Sequence, residues 1–199
     1  MFEYPDNPAP TNLPILDEIR RRWSPLNFSS EPIEEEKIAT LFEAARFAPS
    51  SFNEQPWRYI YATNDDRDHD ARGQLESLLN PGNSYAKGAY LLMISFAKKT
   101  FTKNGKENVH FLHDLGMANG FIVLQCVDLG LIGHQMAGFA REKANALLGV
   151  PSDFFPGDMM AIGYPGDPST LPAELMPKQM KTRVRKDRKE FVFRGKWMG

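Results

Sequence analysis

The sequence predicts one domain of the α+β or mixed α/β sandwich type, a sheet covered by helices. Three observations carry this. A length of 199 residues matches one domain rather than two. Helical segments outnumber the strands and interleave with them. Residues 90–96 (Tyr-Leu-Leu-Met-Ile-Ser-Phe) are apolar on both faces, as a buried central strand is.

Taken in order, residues 1–11 are proline-rich and read as an extended lead-in. Pro14 sits where a first helical turn tolerates proline. Leu13, Leu16 and Ile19 give that helix an apolar stripe, and Arg20, Arg21 and Arg22 lie near its C-terminal end. Residues 24–30 read as loop. A second helix starts near Pro32, where Glu34, Glu35 and Glu36 complement its N-terminal dipole. Its apolar face is Ile38, Leu41, Phe42 and Ala45, and it stops before Pro49, which forces its predecessor out of the helical region. A strand follows over 59–62, and a short helix over 75–79 closed by Asn80-Pro81-Gly82. The longest helix spans 111–129 and ends at Gly130. Another covers 141–148, with Gly149 at its C-terminus and Pro151 beyond. Residues 159–163 are a strand, and 190–193 are expected as a last, edge strand.

Composition narrows the function classes. Twenty-four Lys+Arg against 25 Asp+Glu leave a net charge of −1. Residues 178–196 nevertheless hold nine Lys/Arg against Asp187 and Glu190, so a +7 arm is attached to a −8 body. Such an arm suits nucleic acid, a phosphate, or simple solvation. The single cysteine, Cys126, rules out a disulfide framework and any multi-cysteine zinc site. The longest apolar stretches fall far short of the ~20 residues a membrane helix needs, so no membrane partner is expected. The N-terminus, with Glu3, Asp6 and several prolines, lacks a basic-then-apolar signal, which predicts a cytoplasmic location.

Few motifs carry chemistry. Neither a Gly-x-x-x-x-Gly-Lys-Ser/Thr loop, a Gly-x-Gly-x-x-Gly turn nor a Gly-x-Ser-x-Gly elbow occurs. His110, His113 and Asp114 offer too few ligands for a metal, and no metal is expected. Cys126 lies among Val123, Leu124 and Val127 and reads as a buried, inert thiol. Two segments say more. In Arg20-Arg21-Arg22-Trp23-Ser24, guanidinium forks and a hydroxyl share one helix-to-loop junction, a combination suited to phosphate oxygens. In Pro49-Ser50-Ser51-Phe52-Asn53-Glu54-Gln55-Pro56-Trp57, hydroxyls and carboxamides stand between prolines. Amides that donate and accept suit the edge of a ring with alternating C=O and N–H groups, although a capped turn would use the same residues.

These residues carry a resemblance. Arg-Trp-Ser-x-x-x-Phe, Pro-Ser-Ser-x-Asn-x-Gln-Pro-Trp, His134-Gln135-Met136-Ala137-Gly138-Phe139, Ile162-Gly163-Tyr164-Pro165 and Arg183-Val184-Arg185-Lys186 resemble, in order and spacing, the nitroreductase family of FMN enzymes. The resemblance runs from about residue 15 to the C-terminus. It implies an α+β three-layer sandwich with a mostly antiparallel central sheet flanked by helices, an obligate homodimer, and two FMN sites at the dimer interface. By the same resemblance, Arg22 and Ser24 hold the flavin phosphate and ribityl chain, joined by Arg183 and Arg185. Trp23 stands at a flavin-contacting position that usually carries Arg or His. Ser50, Ser51, Asn53 and Gln55 line the flavin, and Asn83 reaches its pyrimidine edge. Met136, Ala137 and Gly138 lie against the ring. The chain departs from the pattern at Leu26, in place of a common basic residue, and at Ala137, in place of a glutamate found in some members.

The function so implied is transfer of a hydride from NADH or NADPH through bound FMN to a nitroaromatic, quinone or similar small-molecule electron acceptor, in a ping-pong cycle without a catalytic side chain. Alternatives are another FMN chemistry on the same fold (reductive dehalogenation, dehydrogenation or flavin fragmentation) and a non-enzymatic FMN or nucleic-acid binder. The arginine-rich arm then has a use in phosphate binding, and no nucleic-acid partner is expected, since no recognition helix or aromatic-interleaved basic face accompanies it.

Overall fold

The computed structural model describes residues 3–65 and 69–198; Met1 and Phe2 of the lead-in and Gly199 of the basic arm lie outside the described residues. Four strands form one sheet: β1 (Trp57–Thr63), β2 (Leu91–Lys98), β3 (Ile132–Met136) and β4 (Phe154–Gly163), in the order β1-β2-β4-β3. Every pairing is antiparallel. Trp57 faces Ala97 across β1–β2, Leu91 faces Ile162 across β2–β4, and Met136 faces Met159 across β3–β4. The register of β2 shifts between Ile94 and Phe96, where the Ser95 hydroxyl donates to the Asp158 carbonyl at 3.0 Å.

The helices are α1 (Asp17–Arg21), α2 (Glu35–Arg46), α3 (His69–Leu78), α4 (Phe111–Asp128), α5 (Arg141–Leu147) and α6 (Met176–Gln179). Alternation along β2 explains the cover on both faces. Leu91 and Met93 join Met160 and Ile162 under α2 and α4, burying Ile38, Leu41, Leu115 and Ile122. Leu92, Ile94 and Phe96 point the other way, onto Leu75 and Leu78 of α3 and Ala144 of α5. The β2 burial is unbroken over its first seven residues, as the apolar run predicts.

Three expectations need correction. Residues 190–193 form no strand. Asp187 instead caps a 3-10 turn over Arg188–Glu190, accepting the Lys189 N–H at 2.9 Å while the Glu190 carboxylate accepts the Asp187 N–H at 2.8 Å. Local capping therefore satisfies a backbone that strand pairing would have needed. The second edge strand is β3, whose Gly133, His134 and Gln135 give a weak β signal. Finally, the first helix begins at Asp17, and its stripe of Leu13, Leu16 and Ile19 is exposed, not packed in the core.

The lead-in is an extended strap tied at both ends of the chain. The Trp23 indole N–H donates to the Pro5 carbonyl at 2.8 Å, and the Ala9 N–H to the Arg20 carbonyl at 2.8 Å. Asn7 donates through Nδ2 to the Lys181 carbonyl at 3.2 Å, so the strap joins α1 to the start of the basic arm.

Candidate functional site

Arg22 follows α1 directly, with an extended ψ of 121° that turns the chain out of the helix. Its guanidinium is half-buried and donates to the Ser24 hydroxyl at 3.2 Å. Arg183 arrives from the other end of the chain and donates to the Arg20 and Asn7 carbonyls at 2.7 and 3.1 Å. Burial, followed by repulsion from Arg22 and Arg185, lowers the Arg183 pKa; burial and Arg185 likewise lower that of Arg22, against an opposing pull from Tyr4. Three guanidiniums thus feel one another, and among the described residues no carboxylate forms an ion pair with any of them. Uncompensated positive charge of this kind attracts anions.

A half-buried histidine fastens this group to the sheet. His134 on β3 lies 2.9 Å through Nδ1 from the Pro25 carbonyl and 2.9 Å through Nε2 from the Tyr85 hydroxyl. A carbonyl can only accept, so Nδ1 carries the proton and Nε2 of the neutral ring accepts from Tyr85. Burial lowers the His134 pKa, the Pro25 bond opposes this, and Arg22 reinforces it. Tyr85 belongs to the 3-10 segment Pro81–Gly88, whose far end Arg72 grips through the Lys87, Ala89 and Tyr90 carbonyls at 3.1, 2.8 and 3.2 Å. The same segment carries Asn83, which donates through Nδ2 to the Gly138 carbonyl at 2.8 Å. Glycine leaves room for this bond: a Cβ at 138 would stand 2.9 Å from Asn83 Nδ2 and push that amide aside. Arg22, Ser24, Asn83 and Gly138 are therefore linked through His134 and Tyr85 into one connected wall.

The loop after α2 is strained. Phe52, Asn53 and Gln55 all have positive φ, at 53°, 56° and 50°, a region costly for side-chain-bearing residues. Its bonds hold it there. The Gln55 N–H donates to Ser50 Oγ at 3.0 Å, and Gln55 Nε2 donates to the Asn53 side-chain and backbone oxygens at 3.1 and 3.2 Å. Asp114, only 2% exposed, accepts the Ser51 N–H at 3.0 Å from the first turn of α4. Pro49, Ser50 and Ser51 line a cleft of about 200 Å³ with His110, His113 and Asp114. Among the described residues, no hydrogen bond ties residues 50–55 to the arginine group or to Asn83 and Gly138.

Some expected side chains point elsewhere. Trp23 is buried and spends its indole N–H on the Pro5 carbonyl. Met136 is buried in the α3 and α5 layer, and Leu26 is also in the core. Ala137 is exposed beside Gly138. Arg185 is exposed on the arm. His134, Tyr85 and Asp114 escaped the sequence reading as structural organisers. His134 stood within a quoted motif, but nothing in sequence shows a tautomer or a carbonyl 109 residues away. Among the described residues, no set of three His, Cys, Asp or Glu is placed to hold a metal ion, and no helix is long and apolar enough to cross a membrane.

Comparison with known proteins meets this geometry. The nitroreductase family model matches residues 19–80, the stretch holding Arg22, Ser24 and the strained loop. A solved structure of an FMN-containing oxidoreductase superposes with a TM-score of 0.87 at 29% identity, over 98% of each chain. An uncharacterised 15.4 kDa protein of Mycolicibacterium smegmatis is 32% identical over 123 residues, 62% of this chain and 82% of its own. An NADH dehydrogenase of Thermus thermophilus is 24% identical over 193 residues, 78% of this chain and 90% of its own. A shared fold from end to end, and a family match on the segment that builds the arginine junction and strained loop, make this chain a member of the nitroreductase family.

Proposed function

We propose that the chain is an FMN-dependent oxidoreductase that takes a hydride from NADH or NADPH and delivers it to a nitroaromatic, a quinone or a similar electron-poor acceptor. It works as a cytoplasmic homodimer of single-domain, three-layer subunits. The observation that carries the reading is Arg22 donating to Ser24, with Arg183 bonded to the neighbouring Arg20 carbonyl, Arg185 near enough to repel both, and no carboxylate partner for any of them among the described residues. A dianionic phosphate fits such a donor set, because guanidinium forks and a hydroxyl match its oxygens in charge and geometry. When bound, FMN supplies the two-electron redox chemistry that no side chain of the site offers.

The chain's own task is to bind and orient. Arg22, Ser24, Arg183 and Arg185 hold the phosphate and ribityl end. The Trp23 backbone, Asn83, Ala137 and Gly138, with the buried Met136 beneath them, frame the ring, and donors there stabilise charge at its pyrimidine edge. Ser50, Ser51, Asn53 and Gln55 complete the enclosure from the second copy, across the dimer interface. Two features support a dimer: the exposed Leu13, Leu16 and Ile19 stripe, and open space above Gly116 and Gly120 of α4, where a Cβ would meet nothing within 4 Å. With no covalent intermediate required, donor and acceptor use the same space in turn, which gives ping-pong kinetics. Cys126 takes no part, since burial pushes its thiol far above the reactive range.

Anaerobic stopped-flow spectroscopy of the FMN-loaded protein tests the proposal. Bleaching of the flavin band by NADH or NADPH, followed by recovery on adding a nitroaromatic or quinone alone, is expected. A band that neither nicotinamide bleaches refutes it.

A further inference from the structure

The strained loop presents an aromatic ring to solvent. Phe52 is 92% exposed, with φ at 53°, and it stands between Ser51 and Asn53, two of the residues assigned above to the flavin enclosure. Positive φ is costly for a residue of this bulk, so the loop holds the ring outward against its own backbone preference. A second ring stands beside it. Phe101 meets Phe52 edge to face, with centroids 5.7 Å apart and planes at 83°, and Phe52 still keeps nearly all of its surface open.

Phe101 is fixed by its own hairpin. Thr100 bridges Glu107, the Phe101 N–H donates to the Lys106 carbonyl at 2.8 Å, and the Gly105 N–H donates to the Phe101 carbonyl at 2.8 Å. Glu54 latches this hairpin to the strained loop, since its carboxylate accepts both the Thr102 N–H, at 2.7 Å, and the Thr102 hydroxyl. Phe52, Glu54, Phe101, Lys103 and Asn104 thereby line one cleft of about 380 Å³, enough for a small aromatic molecule. The charge around it is lopsided. Residues 98–107 hold four lysines against Glu107 alone. Glu54 is engaged by Thr102, whereas Lys103 is exposed and forms no ion pair among the described residues.

We infer that this cleft selects the electron acceptor: a planar, electron-poor aromatic ring carrying a carboxylate, with the ring stacked on Phe52 and the carboxylate beside Lys103. This rests on the flavin reading above and narrows the acceptor class that reading leaves broad. An electron-poor ring is drawn to the negative face of a phenyl group, and an ammonium without an ion-pair partner attracts the anion. Glu54 opposes the anion from the same wall, but the lysines outnumber it. Phe52 and Lys103 position the acceptor and exchange neither protons nor electrons with it. For a nitroaromatic, the nitro group takes two electrons and two protons, all supplied by reduced flavin, and becomes a nitroso group with loss of water.

Anaerobic reoxidation of the FMN-loaded, dithionite-reduced protein isolates this step from the nicotinamide. The probes are 4-nitrobenzoate, neutral 4-nitrobenzamide and the cationic (4-nitrobenzyl)trimethylammonium ion, each compared between wild type and variant. Phe52→Leu should lower the second-order rate constant for all three by about two- to tenfold, the worth of one aromatic stack. Lys103→Gln should lower it by about two- to fivefold for 4-nitrobenzoate alone, an effect that added salt removes. Unchanged rate constants in either variant overturn the assignment, as does a loss in Lys103→Gln that is equal for the three charges. A weaker FMN dissociation constant in Phe52→Leu overturns it too, because the ring would then be a flavin contact. Reoxidation of the wild type by a neutral quinone but by none of the three nitro compounds sinks this inference alone. A wild-type chain that binds no FMN removes the flavin reading itself, and this inference with it.

Discussion

Asp114→Ala isolates the anchor of the strained loop. The carboxylate is 2% exposed and accepts the Ser51 N–H at 3.0 Å, so the bond is charge-assisted and shielded from water. Its loss should cost about 1.5–3 kcal/mol. The second contact, His113 Nδ1 at 3.3 Å, adds little because the His113 side chain is 73% exposed. Alanine gains up to about 0.7 kcal/mol of helix propensity, but removing an acid from the first turn of α4 costs about 0.3–1 kcal/mol, and the two effects nearly cancel. A chain of this size loses about 2–4 °C of melting temperature per kcal/mol, so a drop of about 3–12 °C is expected by calorimetry. Freed from its anchor, the loop should relax its positive-φ residues. Amide exchange over residues 51–55 should then accelerate while β2 stays protected. A melting temperature within about 1 °C of wild type, with unchanged loop exchange, would show that Asp114 does not hold the loop and that its strain is maintained elsewhere.

Other outcomes follow from the same geometry. Arg22→Ala and Arg185→Ala should each weaken FMN binding roughly ten- to hundredfold, read by fluorescence titration, because each removes charge-assisted bonds to the phosphate; unchanged constants in both reject the phosphate assignment. Gly138→Ala puts a Cβ 2.9 Å from Asn83 Nδ2 and must displace that amide. The lost bond should lower stability by about 0.5–1.5 kcal/mol in urea melts, and an unshifted midpoint would mean Asn83 moves freely. His134 has a pKa lowered below 6.5 by burial, so the unfolded chain binds the proton first as pH falls. Its contribution is full above pH 6.5 and is lost as the pH drops towards the folded value; thermal melts at decreasing pH should show that slope in wild type and a shallower one in His134→Asn.

What the sequence makes legible follows period and punctuation. The apolar run in β2, the Ile38-Leu41-Ala45 face of α2 and the Gly130 stop of α4 are local signals, and the structure has each of them close to its expected bounds. β3 is not legible, because Ile-Gly-His-Gln-Met lacks alternation and becomes a strand only by pairing with β4. The arm misleads for a related reason: Phe191, Val192 and Phe193 look strand-like, but they pair with no strand among the described residues, and Asp187 caps a turn instead. At the site, residue types that suit a phosphate can be read from the sequence; the links between them cannot. Arg183 and Arg20 lie 163 positions apart, and His134 and Pro25 lie 109 apart. Trp23 and Met136 show the converse, since motif position suggests a ligand contact while burial assigns their side chains to the core.

In the proposed function, two copies of this chain hold the flavin between them through the Arg22, Arg183 and Arg185 group. Sedimentation equilibrium of the FMN-loaded protein, recorded in the flavin absorption band, tests it directly. The flavin should travel with a species of twice the 22.6 kDa chain mass, at one FMN per chain. Flavin travelling at the mass of one chain, or not travelling with protein at all, would contradict it.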